Sequence, residues 1–167
     1  MTKTISGVGE QIPVRSLDRI DRRIVGFLSR WSIPFMRVAL GVVFIWFGAL
    51  KIWRISPVAE LVASTVYWVD PEWFVPVLGV VEVIIGLGLL FGIGLRLILL
   101  VFAGQMIGTA LVFVVLPEVA FQRGNPLLLT VEGEFVVKNI VLIAAGMVVG
   151  ATVRGRRARV ETDGGPR

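Results

Sequence analysis

Four apolar runs, at residues 32–53, 73–92, 95–116 and 135–153, constrain this chain more than any other feature. Each is long enough to cross roughly 30 Å of hydrocarbon as a helix rising about 1.5 Å per residue. The runs show neither the alternation nor the regular turn signals of strands. Lipid offers backbone amides no partner, so each span must satisfy its own, which favours helices. The expected fold is all-α, an integral membrane four-helix bundle. Composition agrees: 56% of residues are hydrophobic and mean hydropathy is +0.85, above the roughly 45–50% apolar share of soluble domains.

Charge is segregated around these runs. Residues 1–31 carry six Lys/Arg against three Asp/Glu, residues 154–167 carry five against two, and the stretch between carries six against seven. Cations that flank apolar spans set topology and meet anionic headgroups, so no nucleic-acid partner is expected. Under the positive-inside rule both termini and the "GIGLR" turn face the cytoplasm, and the 54–72 and 117–134 loops face outward. That predicts a multi-pass membrane protein with both termini in the cytoplasm, without a cleavable signal sequence. Trp53, Tyr67, Trp68 and Trp73 at the outer boundary and Trp31 at the inner one read as aromatic belts.

Three regions follow: an arm over 1–31, a four-span domain over 32–153, and a basic tail over 154–167. In "SLDRIDRRIVGFLSRW", Leu17, Ile20, Ile24, Phe27, Leu28 and Trp31 recur at helical spacing, with Arg15, Arg19, Arg22, Arg23 and Arg30 mostly on the other side. This predicts an amphipathic helix lying on the inner leaflet. In "SPVAELVASTVYW", Ser56 as cap and Pro57 in the first turn predict a short outer interfacial helix, flat over the mouth of the bundle. The segment "PEVAFQRGNPLLLTVEGE" either folds back over the bundle or forms a contact surface.

The spans contain charges that lipid does not tolerate cheaply. On the first, Arg37, Gly41, Phe44, Gly48 and Lys51 fall within about 80° of one another. On the second, Gly79, Glu82, Gly86 and Leu89 share a face; on the third, Gln105, Gly108, Thr109 and Val112 do. The fourth opens with Glu134 and Lys138, four residues apart. An ionised group in lipid costs from ~3 to more than 10 kcal/mol, so Glu82 must face inward and be paired or protonated. Lys51, Glu82, Gln105 and Lys138 are expected to converge on a polar pocket in the outer half, a ligand or proton site, or else a cluster that fixes helix register. Lys51 and Lys138 lie near the outer edge, where snorkelling lowers their cost. Gly41, Gly48, Gly79, Gly86 and Gly108 are expected to let helices pack closely. Arg37 and Arg96, with Arg22 and Arg23, are expected to contact lipid at the inner interface. The chain has no cysteine and no histidine, which excludes disulfides, thiol redox chemistry and the usual ligands of zinc, haem and iron–sulfur clusters. No metal site, no covalently bound cofactor and no catalytic residue are expected.

The motifs "VVFIWFGALKI", "LGVVEVIIGLGLLFGIGLR" and "GEFVVKNIVLIAAGMVV" resemble the DoxX-like superfamily of small four-helix membrane proteins, over residues 33–153. Within it the chain is most similar to the YkgB type, the reactive-chlorine-resistance branch, although the loop before the second span is shorter here. On this likeness Lys51, Glu82 and Lys138 correspond to the superfamily's intramembrane charges, and Gly48, Gly79 and Gly86 to its glycines. The resemblance implies association with quinone-linked oxidoreductases, with membrane complexes and with oxidative stress. Three functions are therefore weighed. The first is a non-catalytic integral subunit of a larger membrane complex, respiratory or redox in kind, whose partners are lipids and other protein subunits. The second is a quinone- or lipid-binding subunit, in which Glu82 beside the lysines exchanges protons with a headgroup. The third is a small proton or solute transporter.

Overall fold

The structure, a computed structural model, describes residues 14–163, with side chains over 21–152. The cationic positions Arg15 and Arg19, the apolar positions Leu17 and Ile20, and the basic groups of the tail therefore lie outside the described side chains. The described chain is helical, with one isolated bridge between Phe121 and Leu129. Its helices are α1 (Val14–Ile52), α2 (Ala59–Thr65), α3 (Pro71–Phe91), α4 (Leu95–Ala110), α5 (Val112–Val115), α6 (Pro117–Ala120), α7 (Val131–Val137) and α8 (Asn139–Asp163). Four segments are long and apolar enough to cross a membrane: Asp21–Ile52, Pro71–Phe91, Leu95–Val115 and Val131–Thr152. The expected membrane bundle is thus present.

Among the described residues, those up to Pro34 form one compact unit and those from Phe35 onward a second. α1 begins in the first, at Val14. Phe27 and Trp31, one turn apart, pack with ring centroids 6.3 Å apart. Arg22 and Arg23 are exposed.

In the second unit, glycines decide how α1 and α3 meet. A Cβ on Gly41 would stand 2.9 Å from the Gly86 carbonyl oxygen, and one on Gly48 would stand 2.5 Å from that of Gly79. The reciprocal distances, 2.6 Å in both pairs, show backbones in direct contact. Four of the five expected packing glycines therefore pack as expected. Gly108 does not: nothing lies within 4 Å of its would-be side chain. Two glycines not singled out from the sequence serve instead, with Gly88 meeting Ile98 and Gly146 meeting the Phe102 ring.

Asp70 starts α3 by accepting a hydrogen bond from the Glu72 amide at 2.9 Å, with Pro71 in the first turn. Pro76 cannot donate to the Glu72 carbonyl, as a residue four places on normally would. Arg54 replaces it, donating from Nη2 to that oxygen at 3.0 Å. Gly92 and Gly94, at φ of 73° and 59°, make the tight turn into α4 in a conformation that suits glycine. We call this the turn end of the bundle; α2 and the 117–130 segment occupy the loop end.

Near the turn end the core is closed and apolar, built from Leu40, Phe44, Ile85, Leu89, Phe102, Met106 and Val149. A second core at the loop end gathers Val112, Ala120 and Val136, with Leu61, Phe113 and Phe121 against them. The 117–130 segment thus folds back over the bundle, the first of its two expected roles. Thr130 ties it down, its hydroxyl donating to the Val119 carbonyl and capping α7 by accepting from the Gly133 amide. One expectation fails in detail. Ser56 does not cap α2: the helix begins at Ala59 with Val58 at its N-cap, and Ser56 supplies only its carbonyl, to the Ala59 amide. The third and fourth spans run over Leu95–Val115 and Val131–Thr152 as expected, each interrupted by one irregular residue, Leu111 and Lys138, that keeps helical backbone angles. The Thr109 hydroxyl bonds back to the Gln105 carbonyl at 3.0 Å just before the first break, a contact that bends helices. Trp31, Trp53, Tyr67, Trp68 and Trp73 are all exposed.

Candidate functional site

The glycine contact at Gly48 and Gly79 places Lys51 and Glu82 one turn away on each helix. Because α1 and α3 run in opposite directions, those turns lead to opposite sides of the contact. Cα–Cβ bonds tilt toward a helix's N-terminus, so Lys51 leans toward the turn end and Glu82 toward the loop end. The two side chains meet. Lys51 Nζ donates to Glu82 Oε1 at 2.8 Å and to Oε2 at 2.6 Å. Gln105 Nε2, from α4, donates to the same Oε1 at 2.7 Å.

Lys51 is 5% exposed and Glu82 6%. The Lys51 ammonium turns into the bundle rather than snorkelling outward. Charge cancels within the pair, and the carboxylate has three donors, the condition under which a buried ion pair is tolerable. The ammonium has three N–H groups, two of which account for its contacts to Glu82. One remains without a protein acceptor among the described residues.

Beside this pair lies a cavity of about 420 Å³, within the range of small-molecule sites. Its walls are mostly apolar: Phe44 and Phe47 from α1, Phe74 and Leu78 from α3, Met106 and Val112 toward α4 and α5. Leu61, Val62 and Thr65 of α2 cover it, and Lys51, Glu82 and Gln105 form its polar end. Asn139, at the start of α8, adds an amide. The Thr65 and Thr109 hydroxyls spend their protons on the backbone carbonyls of Leu61 and Gln105, so they offer the cavity only acceptors.

Lys138 does not join the cluster. It sits at the break between α7 and α8, its side chain 74% exposed, with Nζ 3.8 Å from Glu134 Oε2. Arg37 lies half-buried at the turn end with its guanidinium against Gly92, 3.2 Å from where a Cβ would stand, and its Nε is buried without a hydrogen-bond partner. That position suits a cation, since it faces the C-terminal end of α3. Arg96 is exposed. No cluster of three metal-ligating side chains occurs among the described residues. Sequence reasoning missed Asn139 and the bond from Arg54. Only Pro76, with its missing amide, signalled the latter.

Fold and site together define a class: an all-helical, multi-pass membrane protein with a buried ion pair beside an apolar-walled cavity. The DoxX family model matches residues 33–115. Over these residues, which hold the first two of the three sequence motifs, the chain is similar to the DoxX family. Lys51, Glu82 and Gln105 all fall inside the matched residues, whereas Lys138 and Asn139 fall outside them. No curated protein and no solved structure is significantly similar to the chain.

Proposed function

We propose that the protein is a non-catalytic integral subunit of a larger membrane complex of redox type, and that it holds an amphiphilic ligand, a quinone or a lipid, in the cavity beside Lys51. The observation that carries this reading is a 420 Å³ space with apolar walls and a buried ammonium at one end. Such a space suits a molecule with an apolar body and an oxygen-bearing head. The head oxygen would take the free N–H of Lys51, and Gln105 and Asn139 offer further amide contacts. The likeness to DoxX proteins, whose relatives are associated with quinone-linked oxidoreductases, supports the redox setting, and the YkgB-type motifs extend it to oxidative stress. A chain without cysteine or histidine needs partners for any electron transfer. The cationic ends support an inner-membrane location with both termini in the cytoplasm. A transport pathway gains no support, because the apolar cluster from Leu40 to Val149 fills the bundle between the ion pair and the turn end.

Purification in mild detergent, followed by mass spectrometry of bound proteins and of extracted quinones and lipids, tests the reading. The expected result is a stoichiometric partner and one amphiphile retained per chain, the amphiphile being lost from Glu82→Gln. A monodisperse chain with neither partner nor amphiphile would refute it.

A further inference from the structure

We infer that the cavity is loaded sideways from the bilayer, through a window beside Gly104 and Gly108 of α4, so that its ligand is a neutral amphiphile dissolved in lipid. The inference rests on the ligand-binding reading above and adds the route and the charge class.

The glycines of the spans fall into two groups. Gly41, Gly48, Gly79, Gly86, Gly88 and Gly146 each have a neighbour where a side chain would stand. Gly26, Gly104 and Gly108 have nothing within 4 Å, and of these only Gly104 and Gly108 line the cavity. Glycine inside a helix is unfavourable relative to alanine, and at the first group close packing accounts for it. At Gly104 and Gly108 no packing does. Both nevertheless line the cavity and both are exposed.

They are not isolated. Val101, Gly104, Gly108 and Leu111 recur at helical spacing along one flank of α4, next to the Gln105 face that bonds α3. All four line the cavity, and all four are exposed. A residue that is both lining and exposed marks a place where the cavity meets the outside; Phe47 and Trp68 do so singly, and these four as a continuous strip. The flank lies within the Leu95–Val115 span, so what it meets is hydrocarbon. The frame of this opening is fixed. Between the two glycines Gln105 is tied to Glu82, and on the loop side Leu61 of α2 packs against the cluster containing Val112. Leucine or valine in place of the two glycines would fill the gap within this fixed frame.

The charge class follows from the lining. Lys51 and Glu82 are its only charged residues among those described, and they neutralise each other. A net charge on the ligand would be buried without a counter-ion, which costs several kcal/mol. A neutral head with an acceptor oxygen meets the remaining Lys51 donor without that penalty. Lysine is the right donor for it, being 95% buried yet still short of one partner.

The chain has no cysteine, which makes the test direct. Thr109→Cys places a single thiol in the cavity wall, and the protein is reconstituted into phosphatidylcholine vesicles. Its labelling rate is compared between a membrane-dissolved maleimide, N-cyclohexylmaleimide, and a membrane-impermeant sulfonatoethyl thiosulfonate. The expected result is at least tenfold faster labelling by the lipid-dissolved reagent. Adding Gly104→Leu and Gly108→Leu should slow that reagent at least tenfold, while a control thiol at Ile107→Cys, on the exposed surface, keeps its rate. Gly104→Ala with Gly108→Ala serves as the folding control, since it leaves the window open and should label as the parent does. Labelling that is as fast from water as from lipid, or is unchanged by the leucines, would overturn lateral loading. This measurement needs no bound ligand, so its failure is separate from loss of the amphiphile in the purification experiment.

Discussion

Breaking the ion pair from one side should cost far more than removing it whole. At 2.6–2.8 Å and an effective dielectric near 20, the attraction between Lys51 and Glu82 is roughly 6 kcal/mol. Desolvating each ion costs several kcal/mol, so the pair contributes little net stability while leaving either charge alone is severe. Lys51→Met strands the carboxylate with Gln105 as its only partner and should destabilise by about 3–5 kcal/mol. Glu82→Leu strands the ammonium and should cost a similar amount. The double variant leaves no charge, only an orphaned Gln105 amide, and should cost about 1–3 kcal/mol. The double variant should therefore be more stable than either single one. Reversible unfolding in mixed micelles, followed by far-ultraviolet circular dichroism, gives all three values and their coupling energy. Single variants within 1 kcal/mol of wild type would refute the buried pair, and a double variant equal to the sum of the singles would show that the two groups do not interact.

The glycine contacts make a second prediction: Gly79→Ala puts a Cβ 2.6 Å from the Gly48 carbonyl oxygen. It should cost at least the ~1–3 kcal/mol of overpacking and shift the unfolding midpoint accordingly, whereas wild-type stability would contradict the contact. Lys138→Met removes only an exposed pair and should change stability by no more than ~0.5 kcal/mol in the same assay; a loss comparable to that of Lys51→Met would place Lys138 in the cluster after all. Thr130→Ala removes both the cap of α7 and the tie to Val119. It should cost about 1–2 kcal/mol and speed hydrogen exchange at the Gly133 amide, and unchanged exchange would refute the cap.

The spans were legible because length and hydropathy are the physics of crossing a bilayer, and the three residues that meet were legible because buried charge demands a partner. Lys51, Glu82 and Gln105 each lay on the inward stripe of their own helix. Lys138 satisfied two readings at once, a partner for Glu82 and the i,i+4 partner of Glu134. Exposure decides between them: the Lys138 side chain is 74% exposed, with Glu134 as its ion-pair partner. Glycine spacing was equally ambiguous: it identified the Gly41/Gly86 and Gly48/Gly79 contacts but misassigned Gly108, because a missing side chain serves a close neighbour and an open space alike. The failed cap at Ser56 has a simpler cause. Ser56 and Pro57 enter a turn, and the helix waits until Ala59.

A buried Lys–Glu pair is often credited with fixing the register of two helices, and here that explanation has little left to explain. Register between α1 and α3 is already set twice, at Gly41/Gly86 and at Gly48/Gly79, two turns apart on each helix. Sliding either helix would drive side chains into backbone at both levels. Nor does stability call for the charges themselves, since an apolar pair of the same size gives up only what the orphaned Gln105 amide costs. What distinguishes this position is its neighbour. The pair stands where the closed core of the turn end gives way to a cavity, and the ammonium keeps one donor free there. An apolar replacement would preserve the helices and remove that donor. The Lys51→Met/Glu82→Leu variant therefore separates the two explanations: register alone predicts that its complex assembles and works normally, whereas ligand binding predicts a folded protein that has lost its amphiphile.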